Sequence, residues 1–167
     1  VAAWHIQALK AAYIAKSENP RIKPAMEKAA LDLISSLDPT DGRFYYSEKG
    51  SHKTDSIAGL AVLCLQLMGK GKSKEAQIGL DSLKNTDCDW SKPPSWAMYA
   101  WYYITQAKFQ SGEGPTWKLW NNKFAPTLVK NQNPDGSWTS PSGSLEQGKE
   151  VNNGLVYSTT LAALTLQ

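Results

Sequence analysis

The sequence has no long apolar run, no cluster of basic residues and only two cysteines. No apolar stretch reaches the roughly 18 residues that a membrane-spanning helix needs, and the longest candidate, residues 57–68, is interrupted by Gln66. The net charge of +3 is spread along the chain among acidic neighbours, which argues against a nucleic-acid partner. The two cysteines, Cys64 and Cys88, are too few for a disulfide framework. The chain is therefore expected to be one globular domain with neither a membrane span nor a nucleic-acid partner.

Alternation of apolar and polar residues, the mark of a half-buried strand, is missing over any useful length. Apolar residues recur instead at helical spacing, broken by proline and glycine. This pattern predicts an all-α protein of seven helices. They cover residues 2–16, 25–37, 54–68, 74–84, 96–109, 116–130 and 155–167.

The helices are of two kinds that alternate along the chain. Residues 2–16, 54–68, 96–109 and 155–167 are apolar on nearly every side, whereas the other three carry one apolar stripe. A helix that is apolar all round needs neighbours on every side, while a striped helix needs one. The alternation predicts two concentric layers, with the striped helices outside.

Small polar residues that precede the helices are candidate N-caps. A proline within residues 116–130, Pro126, predicts a kink or an early restart of that helix. Residues 140–150 are polar and small, and we expect them to form a solvent loop. The candidate caps are Thr54 or Asp55, Ser73, Ser95, Thr116, and Asn152 or Asn153.

Three turns with related sequences end the striped helices. They read DPTDGRF at residues 38–44, NTDCDW at 85–90 and NQNPDGSW at 131–138. Their closing aromatics Phe44, Trp90 and Trp138 lie 46 and 48 residues apart, a period that indicates a repeat array. Two apolar heptapeptides, LAVLCLQ at 60–66 and LAALTLQ at 161–167, are identical at five of seven positions. The repeated sequences predict how the helices are arranged, but they say much less about a catalytic or binding role.

The third turn, with Gln132, Gly136, Ser137 and Trp138, resembles the QW motif of squalene–hopene cyclases. Helix pairs joined by Asp-Gly-aromatic turns are similar to the α/α-toroid that these cyclases share with protein prenyltransferase β-subunits. The resemblance implies a partial toroid of inner and outer helices in a single domain over residues 1–167. We expect Trp138 to be packed and Gln132 to be hydrogen-bonded to the backbone. Helical patterns run into both ends, so the sequence is interpreted as a piece of a longer protein.

The catalytic residues of these families do not carry over. Cyclases use a DxDD acid, whereas Asp87-Cys88-Asp89 lacks the paired terminal aspartates. Prenyltransferases bind zinc through Asp, Cys and His, but neither His5 nor His52 has a recognisable ligand partner. The CGEQ stretch of toroid-type thioester domains is missing too. No cofactor or metal is expected, and enzymatic activity stays an open question.

If the toroid interpretation holds, the first turns of the inner helices line one rim and could bind a ligand by stacking and hydrogen bonding. Interhelix packing is the alternative for the aromatic residues. An N-cap explains the aspartate equally well, and a lone histidine is usually a satisfied side chain. The candidate ligand-binding residues are Trp4, His5, Asp55, Trp96, Tyr99 and Tyr157.

The leading hypothesis is a non-catalytic helical-repeat module that binds a protein, a small molecule or a lipid on its concave aromatic side. The alternative is part of a terpene-cyclase-like enzyme whose catalytic acid lies outside this sequence. A third hypothesis, a carbohydrate-active toroid, needs two facing carboxylates, for which Asp55 and Glu150 are the candidates. The sequence leaves the compartment unknown, although the turn composition and the resemblance point to a secreted or periplasmic protein.

Overall fold

The computed structural model describes residues 2–147 and 155–167 and is all-helical over them. Seven helices lie wholly within these residues, and each lies within about one turn of its predicted position. The all-α prediction is therefore confirmed, and within these residues the extended structure is limited to one isolated bridge between Leu37 and Phe44. The helices are α1 (Ala2–Ile14), α2 (Ile22–Ser35), α3 (Asp55–Leu67), α4 (Lys74–Ser82), α5 (Ala97–Phe109), α6 (Pro115–Lys130) and α7 (Val156–Leu166).

The chain divides into two compact units, Val1–Lys84 and Asn85–Gln167. In the first unit α1, α2 and α3 pack against one another, and α4 packs on α3. In the second unit both α6 and α7 pack on α5. The prediction of a single domain over residues 1–167 stays a prediction, and each unit is described separately below.

The N-cap side chain accepts a hydrogen bond at α3 and α4, whereas the N-cap residues of α2, α5, α6 and α7 make no such bond. Thr54 and Ser73 accept hydrogen bonds from the backbone N–H three residues on, which confirms both as N-caps. The Ser95 and Thr116 predictions are wrong. Trp96 occupies the N-cap position of α5, and α6 begins at Pro115 after Gly114. Proline suits the first helical position because it lacks the N–H that would be unpaired there.

The structure tests the predicted early restart at Pro126 but not the predicted N-caps of the last helix. Helix α6 continues through Pro126 to Lys130, so it has no early restart. The candidate caps Asn152 and Asn153 lie outside the described residues.

Burial separates the four helices that are apolar all round into two pairs. Helices α3 and α5 are buried along most of their length, as the layered arrangement predicts. In α1, Ala3 and Ile6 are the buried residues among the described side chains. In α7, the buried residues are Ser158, Ala162 and Thr165. In this structure α1 and α7 are therefore covered over only part of their apolar surface.

The first and third turns share one backbone design. In each, an aspartate Oδ1 accepts a hydrogen bond from the N–H two residues later, at 3.0 Å. The glycine between has a positive φ, +74° at Gly42 and +85° at Gly136, which L-residues seldom adopt. The chain then reverses and buries the closing aromatic, Phe44 or Trp138. The Asp-Gly pairs therefore have a structural role, since they fix the backbone conformation of the turn.

The second turn has a different register. Asp89 Oδ1 accepts hydrogen bonds from the N–H and Oγ of Ser91, so Trp90 occupies the position that glycine holds in the other two turns. Its ring is half-buried and lies 5.5 Å from the ring of Trp101. Trp90 is therefore not the structural counterpart of Phe44 and Trp138, although the spacing along the sequence suggests it.

Trp138 joins the end of α6 to the start of α7. Its indole Nε1 donates to the Leu128 carbonyl at 2.8 Å, and its backbone N–H donates to Thr159 Oγ1 at 3.0 Å. Ser158 Oγ donates to the Trp138 carbonyl. Gln132 Nε2 donates to the carbonyl of Gly136 at 2.9 Å, which rigidifies the turn itself. The expected packing of Trp138 and backbone hydrogen bond of Gln132 are both confirmed.

Candidate functional site

In the first unit, the candidate residues Trp4, His5 and Asp55 lie at the same end. Helix α2 runs back along α1, since the Lys23 ammonium at its start lies 5.8 Å from the ring centre of Tyr13 near the end of α1. The chain then turns, and α3 begins beside the end of α2. The start of α1, with Trp4 and His5, and the start of α3, with Asp55, therefore share one end of the unit.

The exposure of these three side chains differs. Trp4 is 62% exposed, which is unusual for the largest apolar side chain, and His5 is also exposed. Asp55 accepts hydrogen bonds from Nε and Nη2 of Arg43, at 2.9 and 2.7 Å. The carboxylate of Asp55 therefore holds the first turn against the start of α3, and Thr54, not Asp55, is the N-cap.

In the second unit, the candidates Trp96, Tyr99 and Tyr157 also lie at one end. Helices α5 and α6 are antiparallel, because Phe109 contacts Trp117 and Thr105 accepts a hydrogen bond from Trp120. The start of α5 therefore lies beside the end of α6, where Trp138 also holds the start of α7. Trp96 and Tyr157 are exposed, whereas Tyr99 is half-buried with its ring edge-on to Tyr103 at 4.6 Å.

The start of α5 is held by a residue that the sequence placed in a solvent loop. Glu146 is 1% exposed, and its two carboxylate oxygens accept hydrogen bonds from the backbone N–H groups of Met98 and Tyr99, both at 3.0 Å. The N–H of Leu145 donates to the Ser95 carbonyl at 2.7 Å. An acidic group at a helix N-terminus satisfies unpaired N–H groups and favours the helix dipole. Glu146 thus supplies the cap that Ser95 does not.

The solvent-loop prediction for residues 140–150 is wrong where the structure describes them. Ser140, Ser144 and Glu146 are buried, and residues 145–147 are helical. The carbohydrate-active hypothesis needs Glu150, which lies outside the described residues. One available signal was the weak N-cap of α5, because a helix that starts at a tryptophan needs another acceptor for its first N–H groups.

An ionic cluster surrounds Lys53 in the first unit. The Lys53 ammonium lies 2.6 Å from Asp38 Oδ2 and 2.7 Å from Asp41 Oδ2, and Tyr45 donates its hydroxyl to Asp38 at 2.7 Å. The hydrogen bond from Lys53, followed by those from Thr40, holds the pKa of Asp38 well below its usual range. Lys53 likewise lowers the pKa of Asp41, and the two carboxylates raise the pKa of Lys53. The carboxylates in this cluster are therefore ionised at neutral pH and do not serve as proton donors.

The two thiols are also held in an unreactive state. Cys64 and Cys88 are free and buried, and burial raises the pKa of each to about 12. The adjacent aspartates Asp87 and Asp89 raise the pKa of Cys88 further. Since the thiolate is the nucleophile and the metal ligand, neither side chain is suited to either role at neutral pH.

No three His, Cys, Asp or Glu side chains among residues 2–147 and 155–167 are grouped so that they could hold a metal ion. No helix in the same part of the chain is long and apolar enough to cross a membrane.

Comparisons of the chain with protein-family models, with curated proteins and with solved structures gave no match. The resemblance to the cyclase and prenyltransferase toroids therefore remains a prediction from the turn sequences and the helix pattern.

Proposed function

We propose that this chain is a non-catalytic helical-repeat module that binds a protein or a small ligand through exposed aromatic side chains. The observation that carries the proposal is the 62% exposure of Trp4 at the start of α1. Trp96 and Tyr157 are likewise exposed at the starts of α5 and α7. Tryptophan and tyrosine are the residues that dominate binding energy in recognition surfaces, because they contribute large rigid contact areas.

The interactions that the acidic side chains make favour a binding role over a catalytic one. Asp38 and Asp41 are held ionised by Lys53, and Asp89 and Asp135 have lowered pKa values because serines two residues on donate hydrogen bonds to them. Asp55 and Glu146 hold helix starts in place. A cyclase-type acid must carry a proton to donate, so the four carboxyls with lowered pKa values are poorly suited to that chemistry.

For the arrangement as a whole, we propose an α/α-toroid related to that of squalene–hopene cyclases, with the aromatic residues on the concave side. The matching Asp-Gly turns and the burial of α3 and α5 support this proposal. In such an array the starts of α1, α3, α5 and α7 face the same rim. The module would then offer a ligand several aromatic side chains and His5 together.

The test compares the full chain with three variants, Trp4→Ala, Trp96→Ala and Tyr157→Ala. Each is immobilised and exposed to a protein extract and a lipid extract, and the retained species are identified and titrated. Leu119→Ala is the matched control, because Leu119 is an exposed apolar residue near the start of α6, at the end of the second unit opposite the starts of α5 and α7. We expect a species that binds the unaltered chain and the control equally, and whose Kd rises about tenfold or more in at least one aromatic variant.

Two results would contradict the proposal. The first is binding that survives all three aromatic substitutions in folded protein, and the second is the lack of any retained species. Conversion of a polyisoprenoid by the chain would favour the cyclase-like alternative instead. Circular dichroism of each variant shows whether the helices are retained.

A further inference from the structure

The two apolar heptapeptides have nearly the same sequence but different surroundings. LAVLCLQ lies in α3, and LAALTLQ lies in α7 and its last flanking residue. Leu63 and Leu65 of α3 are 5% and 0% exposed, whereas their counterparts Leu164 and Leu166 are each 40% exposed. Side chains suited to burial are therefore left in contact with solvent in α7.

Helix α3 shows which neighbours this heptapeptide takes. On one side, Cys64 belongs to a buried cluster with Ala3 and Ile6 of α1. On another side, Val62 lies so close to Gly79 of α4 that a Cβ at position 79 would be 2.8 Å from its Cγ2. Leu65 lies between these two sides, since it is three positions from Val62 and four from Ala61. One face of α3 thus packs on α1, and another packs on α4.

Within the part of the chain that the structure describes, α7 has a neighbouring helix at the first of these faces. Ala162 and Thr165, the counterparts of Ala61 and Cys64, are buried, and α5 is the helix against which α7 packs. Helix α5 therefore occupies the position beside α7 that α1 occupies beside α3. The counterparts of Val62 and Leu65 are Ala163 and Leu166, which are exposed. These two residues are named the open face of α7. Leu164 is two positions from Leu166 and therefore lies on another side of the helix.

We propose that the open face of α7 binds an amphipathic helix of the same kind as α4. The neighbour that α4 provides has the buried stripe Ala76, Gly79, Leu80 and Leu83, with a glycine where the two helices meet most closely. The open face continues directly from the α5–α7 interface around the same helix. Helix α7 carries no charged residue, so the stripe of the partner helix must be uncharged where the two meet.

This inference is independent of the proposed function. The open face lies in the second half of α7, whereas the aromatic residues of the binding proposal lie at the helix starts. The partner helix that fits the open face has an apolar stripe with small residues at the contact and leucines beside them. Its other faces are polar. A flat polar surface or an acidic peptide would leave Leu166 exposed.

The test adds a second copy of residues 67–84, the segment that follows LAVLCLQ, after Gln167 of the full chain. The tether gives the added helix a high effective concentration at the open face. We expect amide hydrogen exchange in residues 162–166 to slow about tenfold or more, because opening of that segment becomes rarer. The Tm is expected to rise by about 2 °C or more.

Two matched controls make the result specific. In one, the added copy carries serine at the positions that correspond to Ala76, Leu80 and Leu83, which removes its apolar stripe. In the other, the added copy is intact and Leu166→Asp places a charge on the open face. Both controls should lose the protection of residues 162–166.

Equal protection in the controls, or no protection in any extended chain, would overturn the proposal. Sedimentation shows whether the unaltered chain self-associates. A dimer that dissociates on Leu166→Asp would identify a second copy as the occupant and would equally overturn it.

Discussion

Glu146 follows Met98 by 48 positions, yet its Oε2 accepts a hydrogen bond from the Met98 N–H at 3.0 Å. The other oxygen accepts from Tyr99 at the same distance, so one buried carboxylate satisfies two of the unpaired N–H groups that begin α5. The segment around residues 140–146 is thereby fastened to the helix start that carries the candidate residues Trp96 and Tyr99. Glu146 is a positioning residue for that part of the binding proposal.

Replacement of Glu146 is expected to destabilise the second unit strongly. Glu146→Ala leaves two buried N–H groups without acceptors and should lower the free energy of unfolding by about 2 kcal/mol or more. Glu146→Gln keeps one acceptor oxygen but loses the charge, so the loss should be smaller, about 1 kcal/mol. Urea unfolding followed by tryptophan fluorescence gives both values. Glu113→Gln is the control, since Glu113 is exposed, and its effect should be within about 0.5 kcal/mol.

A result in which Glu146→Gln is as damaging as Glu146→Ala would mean that the one hydrogen bond that glutamine can keep contributes little beside the charge and the second oxygen. A result in which neither variant differs from Glu113→Gln would contradict the capping role.

The Trp138 indole provides a second test, now of the turn between α6 and α7. Trp138→Phe keeps an aromatic ring but removes the Nε1–H that pairs with the buried Leu128 carbonyl. The Leu128 carbonyl keeps its hydrogen bond from the Asn131 N–H, so the loss of the indole hydrogen bond should cost about 1 kcal/mol of unfolding free energy. Trp90→Phe is the matched control, because Trp90 is only half-buried in a turn of different register. If the control proved the more damaging substitution, the structural difference between the two turns would be contradicted.

The helices were predictable because their signals are local. Apolar spacing, glycine and proline breaks, and the caps Thr54 and Ser73 all act over a few residues, and the structure confirms them. The Asp-Gly pairs identified two turns in the same way, since a positive φ selects glycine. In the second turn, two aspartates compete for the capping position, and the period along the sequence could not show that Asp89 takes it.

The interactions at the candidate site were not predictable because they join distant segments. Nothing within a few residues of Glu146 or Asp55 indicates that they bind Met98 and Arg43. The exposure of side chains could not be predicted either. The apolar sequence of α7 indicates burial on several sides, but it does not show which neighbouring helices are present. The 62% exposure of Trp4 is of this kind.

Gly42 is expected to tolerate substitution less well than another glycine of the same unit. Its φ is +74°, and a Cβ there would lie 2.9 Å from the Ile78 carbonyl oxygen of α4. Gly42→Ala therefore combines backbone strain with a contact that backbone atoms cannot relieve, and we expect a loss of about 2 kcal/mol or more. Gly50 also has a positive φ, +94°, but a Cβ there would have nothing within 4 Å. Gly50→Ala should lower the free energy of unfolding by about 1 kcal/mol. If urea unfolding gave the same loss for both variants, the contact between a Cβ at position 42 and the Ile78 carbonyl would not contribute.

The ionic cluster at Lys53 predicts a definite dependence of stability on pH. The pKa values of Asp38 and Asp41 are lowered in the folded chain, so their stabilisation is present above the ordinary carboxyl pKa of about 4 and is lost as the pH falls below it. The pKa of Lys53 is raised, so its contribution is present below about 10.5 and is lost as the pH rises beyond. The full effect therefore holds between about pH 5 and pH 10.

Lys53→Met removes the ammonium while keeping the apolar part of the side chain, and it leaves Asp38 and Asp41 to repel each other. We expect the variant to be less stable than the unaltered chain at pH 7 and to begin acid unfolding at a higher pH. The difference in unfolding free energy between the two should shrink as the pH falls below about 4, because the carboxyls of the unfolded chain then take up protons and the ion pairs with Lys53 no longer favour the folded chain as strongly. Lys49→Met is the control, since Lys49 is exposed in the same loop. Urea unfolding at a series of pH values measures the difference, and a difference that stays constant down to about pH 2 would show that Lys53 acts through packing rather than through its charge.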